Sequence, residues 1–105
     1  SSGAAVSTNP RMVAYNTAKA AVERLSLTLA EEVRPLNVAV VAYRPGRVKS
    51  EGVLHVYPRD FDWTGWDDVH ACGPSVVWLA QQTAQTFTGQ VVDRREFGQT
   101  WGPRD

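Results

Sequence analysis

"SLTLAEEVRPLNVAVVAYRPG", residues 26–46, changes its period halfway along. Up to Val33 the apolar residues return at spacings of three and four, continuing a stripe of Ala18, Val22, Leu25, Leu29 and Val33, while Glu23, Arg24, Glu31 and Arg34 lie off it. That spacing predicts an amphipathic helix over about 13–34, ended by Pro35, which disfavours helical backbone in the residue before it. "NVAVVAY", residues 37–43, is then rich in valine and apolar on both alternating faces, as a parallel strand buried between two layers must be. "RPG" stops it. A helix feeding straight into a two-sided apolar strand is the repeating unit of an α/β domain.

Working outward, "SSGAAVSTNP" before the helix is small and polar with an Asn-Pro step, and reads as a loop. Beyond the strand, residues 47–66 mix glycine, proline and charge with Tyr57, Phe61, Trp63 and Trp66, and have no clear period. A long loop with a short helix inside it is expected, and its span over 49–66 suggests a lid on a binding site. "DDVHACGPSVVWLAQQTA", residues 67–84, predicts a second helix. Pro74 either opens it after Gly73 or kinks a longer one from Asp67, with Asp67 and Asp68 as helix-start acids. "TFTGQVVD" adds a glycine turn and a strand centred on Val91 and Val92. Phe97 and Trp101, in the tail that follows, predict docking on a neighbour.

The order is helix, strand, lid, helix, strand, which calls for a parallel sheet with right-handed crossovers. Two strands cannot cover both faces of a sheet and hold two helices. The expected fold is therefore the C-terminal part of a doubly wound, Rossmann-like α/β domain over residues 1–105, its N-terminal dinucleotide-binding half absent. The chain opens on Ser1 and its single methionine is Met12, which agrees with a piece of something longer.

Composition narrows the partners. Eleven basic and eleven acidic residues balance, without a like-charge run, which argues against nucleic acid and against a membrane surface. The longest apolar run is far too short to span a bilayer. Cys72 is the sole cysteine, so no internal disulfide and no multi-cysteine metal site can form, and a reducing compartment, the cytoplasm, is expected. His55 and His70 have no ligand spacing, and no metal is expected.

Tyr15 and Lys19 stand four apart at the start of the first helix and share a face. Alone the pair is as easily a ring beside a snorkelling lysine. A series gives it weight: Ser2 lies thirteen residues before Tyr15, Pro10 five before it, "RPGRVKS" follows the first strand and "TGQVVD" leads into the last. In these motifs, in this order, the chain resembles from end to end the second half of the short-chain dehydrogenase/reductase family.

The resemblance implies hydride transfer between NAD or NADP and an alcohol or carbonyl compound. A free tyrosine, with pKa about 10, is a poor proton carrier near neutrality, and a nearby ammonium favours its phenolate. By resemblance Tyr15 is the acid/base, Lys19 tunes it and holds the nicotinamide ribose, and Ser2 polarises the substrate oxygen. Pro45, Gly46, Val48 and Ser50 match the family's proline-glycine motif and imply cofactor contacts, with Ser50 where relatives commonly carry threonine. Tyr57, Phe61 and Trp63 are the candidate substrate wall, although the cluster could instead pack against the rest of the domain or a second subunit. The helix around 14–34 is the expected contact of a homo-oligomer.

The glycine-rich dinucleotide fingerprint and the family's upstream catalytic asparagine are missing from these residues. Turnover by the 105 residues alone is therefore not expected. Two other readings stay open: a non-catalytic remnant serving as a binding or oligomerisation module, and an extended-type epimerase or dehydratase. Only 90 residues follow Tyr15, which leaves little room for the substrate domain of the latter. Neither substrate nor cofactor preference can be read.

Overall fold

The computed structural model describes residues 1–104; the last residue of the expected domain, Asp105, lies outside them. A 3₁₀ turn at Gly3–Val6 precedes helix α1 (Val13–Val33); strand β1 (Val41–Arg44), helix α2 (Glu51–Val56), helix α3 (Gly73–Ala80) and strand β2 (Gln90–Asp93) follow. β1 and β2 pair in parallel from Val41↔Gln90 to Arg44↔Asp93, so the expected α/β order is observed.

α1 leaves the helical path through a 3₁₀ turn at Arg34–Leu36, with Pro35 inside it, and Asn37 closes the turn in the left-handed region at φ 58°. The expected strand starts at residue 37, but the ladder begins only at Val41. The reason is local: Val40 N–H donates to the Thr88 hydroxyl at 2.9 Å, and Val40 C=O accepts from Gly89 N–H at 2.9 Å. A side chain and a turn occupy the groups that a strand would otherwise pair. Pro74 stands in the first turn of α3, where a missing N–H does no harm, and a 3₁₀ turn at Val69–Cys72 leads in. Asp68 caps that turn by accepting from His70 N–H. Asp67, read as a second helix-start acid, instead forms an ion pair with Arg94.

The side of α1 that packs inward differs from the stripe that periodicity picks out. Buried or half-buried positions are Asn16, Lys19, Glu23, Ser26, Leu27, Ala30 and Val33, again at helical spacing, so Val33 alone of the apolar stripe turns inward while Ala18, Val22, Leu25 and Leu29 face out. Glu23, which the pattern places toward solvent, is buried because Arg44 at the end of β1 meets it.

The core is small: Ala30, Ala42, Ala84, Val92 and Trp101 are its buried apolar residues. Trp101 is its centre. Its ring contacts Tyr43, Trp78, Phe87 and Phe97 at centroid distances of 4.9–6.4 Å, and its indole N–H donates to the Asp93 carbonyl at 2.7 Å. The expected docking of this tail on a neighbour is thus replaced by packing on the chain's own sheet and α3. A radius of gyration of 15.3 Å exceeds the roughly 13 Å of a compact domain of this length, because whole apolar faces stay uncovered.

Candidate functional site

The site lies where α/β sheets place theirs, beyond the carboxyl ends of the strands. A cleft of about 690 Å³ is walled by the 3₁₀ turn after Ser2, the first turn of α1, the turns after β1 and β2, and Tyr57 and Trp66 of the segment between β1 and α3. Each wall has a local cause.

Ser2 sits in extended backbone and caps the 3₁₀ turn, its Oγ accepting from Ala4 N–H at 3.1 Å. That leaves its own proton without an acceptor among the described residues. Tyr15, in the first turn of α1, lines the same cleft and is 45% exposed. One turn on, the Lys19 ammonium stands 5.5 Å from the centre of the Tyr15 ring, within cation–π reach. Lys19 is therefore beside Tyr15 and outside the cleft wall. Asn16, between them, donates from Nδ2 to Ser7 C=O at 3.0 Å and fastens α1 to the preceding loop, while its buried Oδ1 has no partner among the described residues.

β1 ends at Arg44, and Pro45-Gly46 turns the chain away. Gly46 has φ +79°, which side-chain-bearing residues rarely adopt, and a Cβ there would come within 3.3 Å of Arg95 Nε. Pro45 C=O accepts from Arg94 Nε at 2.6 Å. Val48 bridges to Asp67: Asp67 N–H donates to Arg47 C=O and Lys49 N–H to Asp67 C=O, both at 2.9 Å. This pattern turns the Val48 N–H the other way, where it has no partner among the described residues. Ser50 caps α2, its Oγ accepting from Val53 N–H at 3.4 Å.

The bridge closes the segment over residues 49–66 at its base. Arg94 reinforces the closure by pairing with the Asp67 carboxylate as well as Pro45 C=O. The hydrogen bond that Arg94 donates to the Asp67 carboxylate raises the pKa of its guanidinium further. Inside this segment Tyr57, Phe61, Trp63 and Trp66 form one cluster, every pair of rings 4.5–6.1 Å apart and most of them edge-on. Tyr57 and Trp66 face the cleft. Phe61 and Trp63, read with Tyr57 as the substrate wall, do not line the cleft, whereas Trp66 does.

Sequence reasoning missed the arginines. Arg44, Arg47 and Arg95 all line the cleft. Arg44 is held by Glu23 through Nε and Nη2, each at 2.7 Å, and this hydrogen-bonded pairing lowers the Glu23 pKa and raises that of Arg44. A charge closing the apolar strand "VVAY" was the available signal. Among the described residues no cluster of three or more His, Cys, Asp or Glu is placed to hold a metal ion, and no helix is long and apolar enough to cross a membrane.

Comparison with known proteins identifies the family and the fold. The family model of the short chain dehydrogenases matches residues 1–58. No curated protein matches the chain. A crystal structure of a short chain dehydrogenase from Salmonella enterica subsp. enterica serovar Typhi str. CT18 superposes with a TM-score of 0.75 at 23% identity, over 90% of this chain and 39% of that one. At that identity the likeness concerns the fold, and the present chain spans about two fifths of the other's length.

Proposed function

This chain belongs to the short-chain dehydrogenase family, and from that premise we propose that it forms the catalytic end of an NAD(P)-dependent oxidoreductase acting on an alcohol or carbonyl compound. The observation that carries the reading is the meeting of Ser2 and Tyr15 in one cleft, with Lys19 over the tyrosine ring, at the carboxyl ends of parallel strands. These groups are remote in sequence from the turn after β1, yet both border it.

The residues present suit the nicotinamide end of a dinucleotide. Val48 offers a backbone N–H with no other partner among the described residues, and Gly46 lets the chain turn there without a Cβ in the way. Pro45 shapes that turn while its carbonyl is committed to Arg94, and Ser50, whose oxygen caps α2, has its hydroxyl proton left to give. The bound cofactor would supply or accept the hydride. Tyr15 gives or takes the proton of the substrate oxygen, Ser2 donates to that oxygen, and the Lys19 ammonium favours the phenolate and holds the ribose. Tyr57 and Trp66 cover the substrate, braced by Phe61 and Trp63.

In this reading the protein works in the cytoplasm as a homo-oligomer, whose subunits meet through the outer face of α1. The 105 residues alone neither bind dinucleotide tightly nor turn over. The outer side of β1 supports this, since the Ser1 nitrogen reaches Tyr43 C=O at 2.8 Å along an edge that β2 does not use and that suits a further strand.

The test is oxidation of NADH or NADPH by a panel of ketones, catalysed by the native protein that contains these residues. Tyr15→Phe is expected to lower kcat by about 10²-fold or more, the range for loss of a general acid/base. Unchanged turnover in that variant assigns the proton to another group. Turnover by the isolated 105-residue chain would overturn the claim that it is inactive by itself.

A further inference from the structure

We propose that the cleft selects a substrate bearing an acid group next to its reacting centre, with Arg47 and Arg95 reading the acid above a fixed Arg44. The inference rests on the oxidoreductase reading above and names its substrate class.

Three arginines line the cleft against one carboxylate, Asp93. Arg44 is neutralised by Glu23 and spends Nε and Nη2 on it, which leaves Nη1 uncommitted in a guanidinium that cannot swing away. Asp93 Oδ1 accepts from the backbone N–H of Arg95 and caps the turn after β2, so it leaves the Arg95 guanidinium free.

The arginines fall into two groups. Arg34 is paired with Glu31 and Arg94 with Asp67, each at a carboxylate. Arg47 and Arg95 have no carboxylate within ion-pair distance and no side-chain hydrogen bond among the described residues. They project from the turns after β1 and β2, which border the same opening, and Arg95 Nε lies against Gly46. Two forked cations converging on one space suit a planar oxyanion, to which guanidinium groups can bond in pairs.

Met12, Tyr57 and Trp66 present an apolar, largely aromatic surface. A molecule filling the cleft would set an acid at the arginines, an apolar or ring-bearing body under the lid, and its oxygen at Ser2 and Tyr15. An aryl keto acid, or the matching hydroxy acid, has all three parts. The other source of an oxyanion is the pyrophosphate of a dinucleotide, and the measurement separates the two.

The experiment follows the arginine Nε–Hε NMR signals of the purified chain during titration with phenylpyruvate, with its neutral analogue phenylacetone, and with inorganic pyrophosphate. Phenylpyruvate is expected to shift Arg47 and Arg95 and to bind at least tenfold more tightly than phenylacetone. The double variant Arg47→Gln/Arg95→Gln should erase that tenfold preference with an unchanged far-UV spectrum, and single variants at each position report separately if the double one unfolds. Equal affinity for acid and ketone, or a preference that survives the arginine variants, overturns the proposal. So does pyrophosphate binding tenfold more tightly than the keto acid, which would assign the arginines to cofactor phosphates. The readout requires no turnover, so the substrate class and the proton-transfer role of Tyr15 can fail independently.

Discussion

Arg44 gives its Nε and Nη2 protons to the two oxygens of Glu23, each at 2.7 Å, and Ser1 Oγ adds a third bond at 2.7 Å to one of them. The pair joins the middle of α1 to the end of β1, with only 10% of the Glu23 side chain and 20% of the Arg44 side chain exposed. Glu23→Gln strands a mostly buried guanidinium and is expected to cost about 3 kcal/mol in urea unfolding. The hydrogen bond from Arg44 holds the Glu23 pKa below the ordinary glutamate value of about 4.3, so its contribution is present above that value and fades as pH falls through the lower, folded one. The stability gap between wild type and Glu23→Gln should therefore be full near neutrality and close in acid. A gap independent of pH down to about 2 would show that the carboxylate charge is not what matters.

Arg94 bolts the lid to the turn after β1, with 11% of its side chain exposed. Arg94→Ala is expected to raise hydrogen exchange at the Lys49 and Asp67 amides by about tenfold or more, since it releases the base of the loop to local opening. Arg94→Lys should recover part of the protection, because an ammonium keeps the charge and loses the fork. Unchanged exchange in Arg94→Ala would mean that the backbone bridge closes the lid unaided.

Trp101 is 5% exposed among four other rings. Trp101→Ala should cost about 3–5 kcal/mol, a large share of the stability of a small domain. Trp101→Phe keeps a ring, loses the bond to Asp93 C=O, and should cost about 1 kcal/mol from that bond. Chemical denaturation measures both, and an unshifted midpoint in Trp101→Ala would remove the tail from the core.

The outer face of α1 leaves Leu25 65% and Leu29 38% exposed, on either side of a shallow hollow of about 350 Å³. If subunits meet there, the chain's mass in sedimentation rises with concentration, and Leu25→Asp/Leu29→Asp holds it at one copy while helicity is kept. A wild-type chain that stays monomeric at every concentration would rule out this surface as the contact.

What could be read from sequence follows the range of the interactions. The span of α1, its termination around Pro35, the opening of α3 at Pro74 and the strand around Val91 are set by neighbours in the chain, and local spacing reports them. Ser2, Tyr15 and Gly46 could be placed because their separations follow a family pattern. The burial of Glu23 could not, since its cause is Arg44, 21 residues away on another element. The same holds for Asp67, whose partner Arg94 is 27 residues on, and for Trp101 against Tyr43. Arg47 and Arg95 look like ordinary surface charges until the two strands bring their turns together.

The Thr88 hydroxyl on Val40 spans 48 residues and sits at the start of the ladder. Its consequence lies in time. α1 can form within microseconds from contacts along its own length, whereas the two strands must first close a long loop, an entropic loss that no nearby bond offsets in advance. The ladder is only four residue pairs long and offers little to tell one alignment from the next. A one-residue slip of β2 along β1 would turn Val92 outward while Ala42 stayed buried, and a threonine that fits a single alignment penalises that mistake at the moment the strands meet.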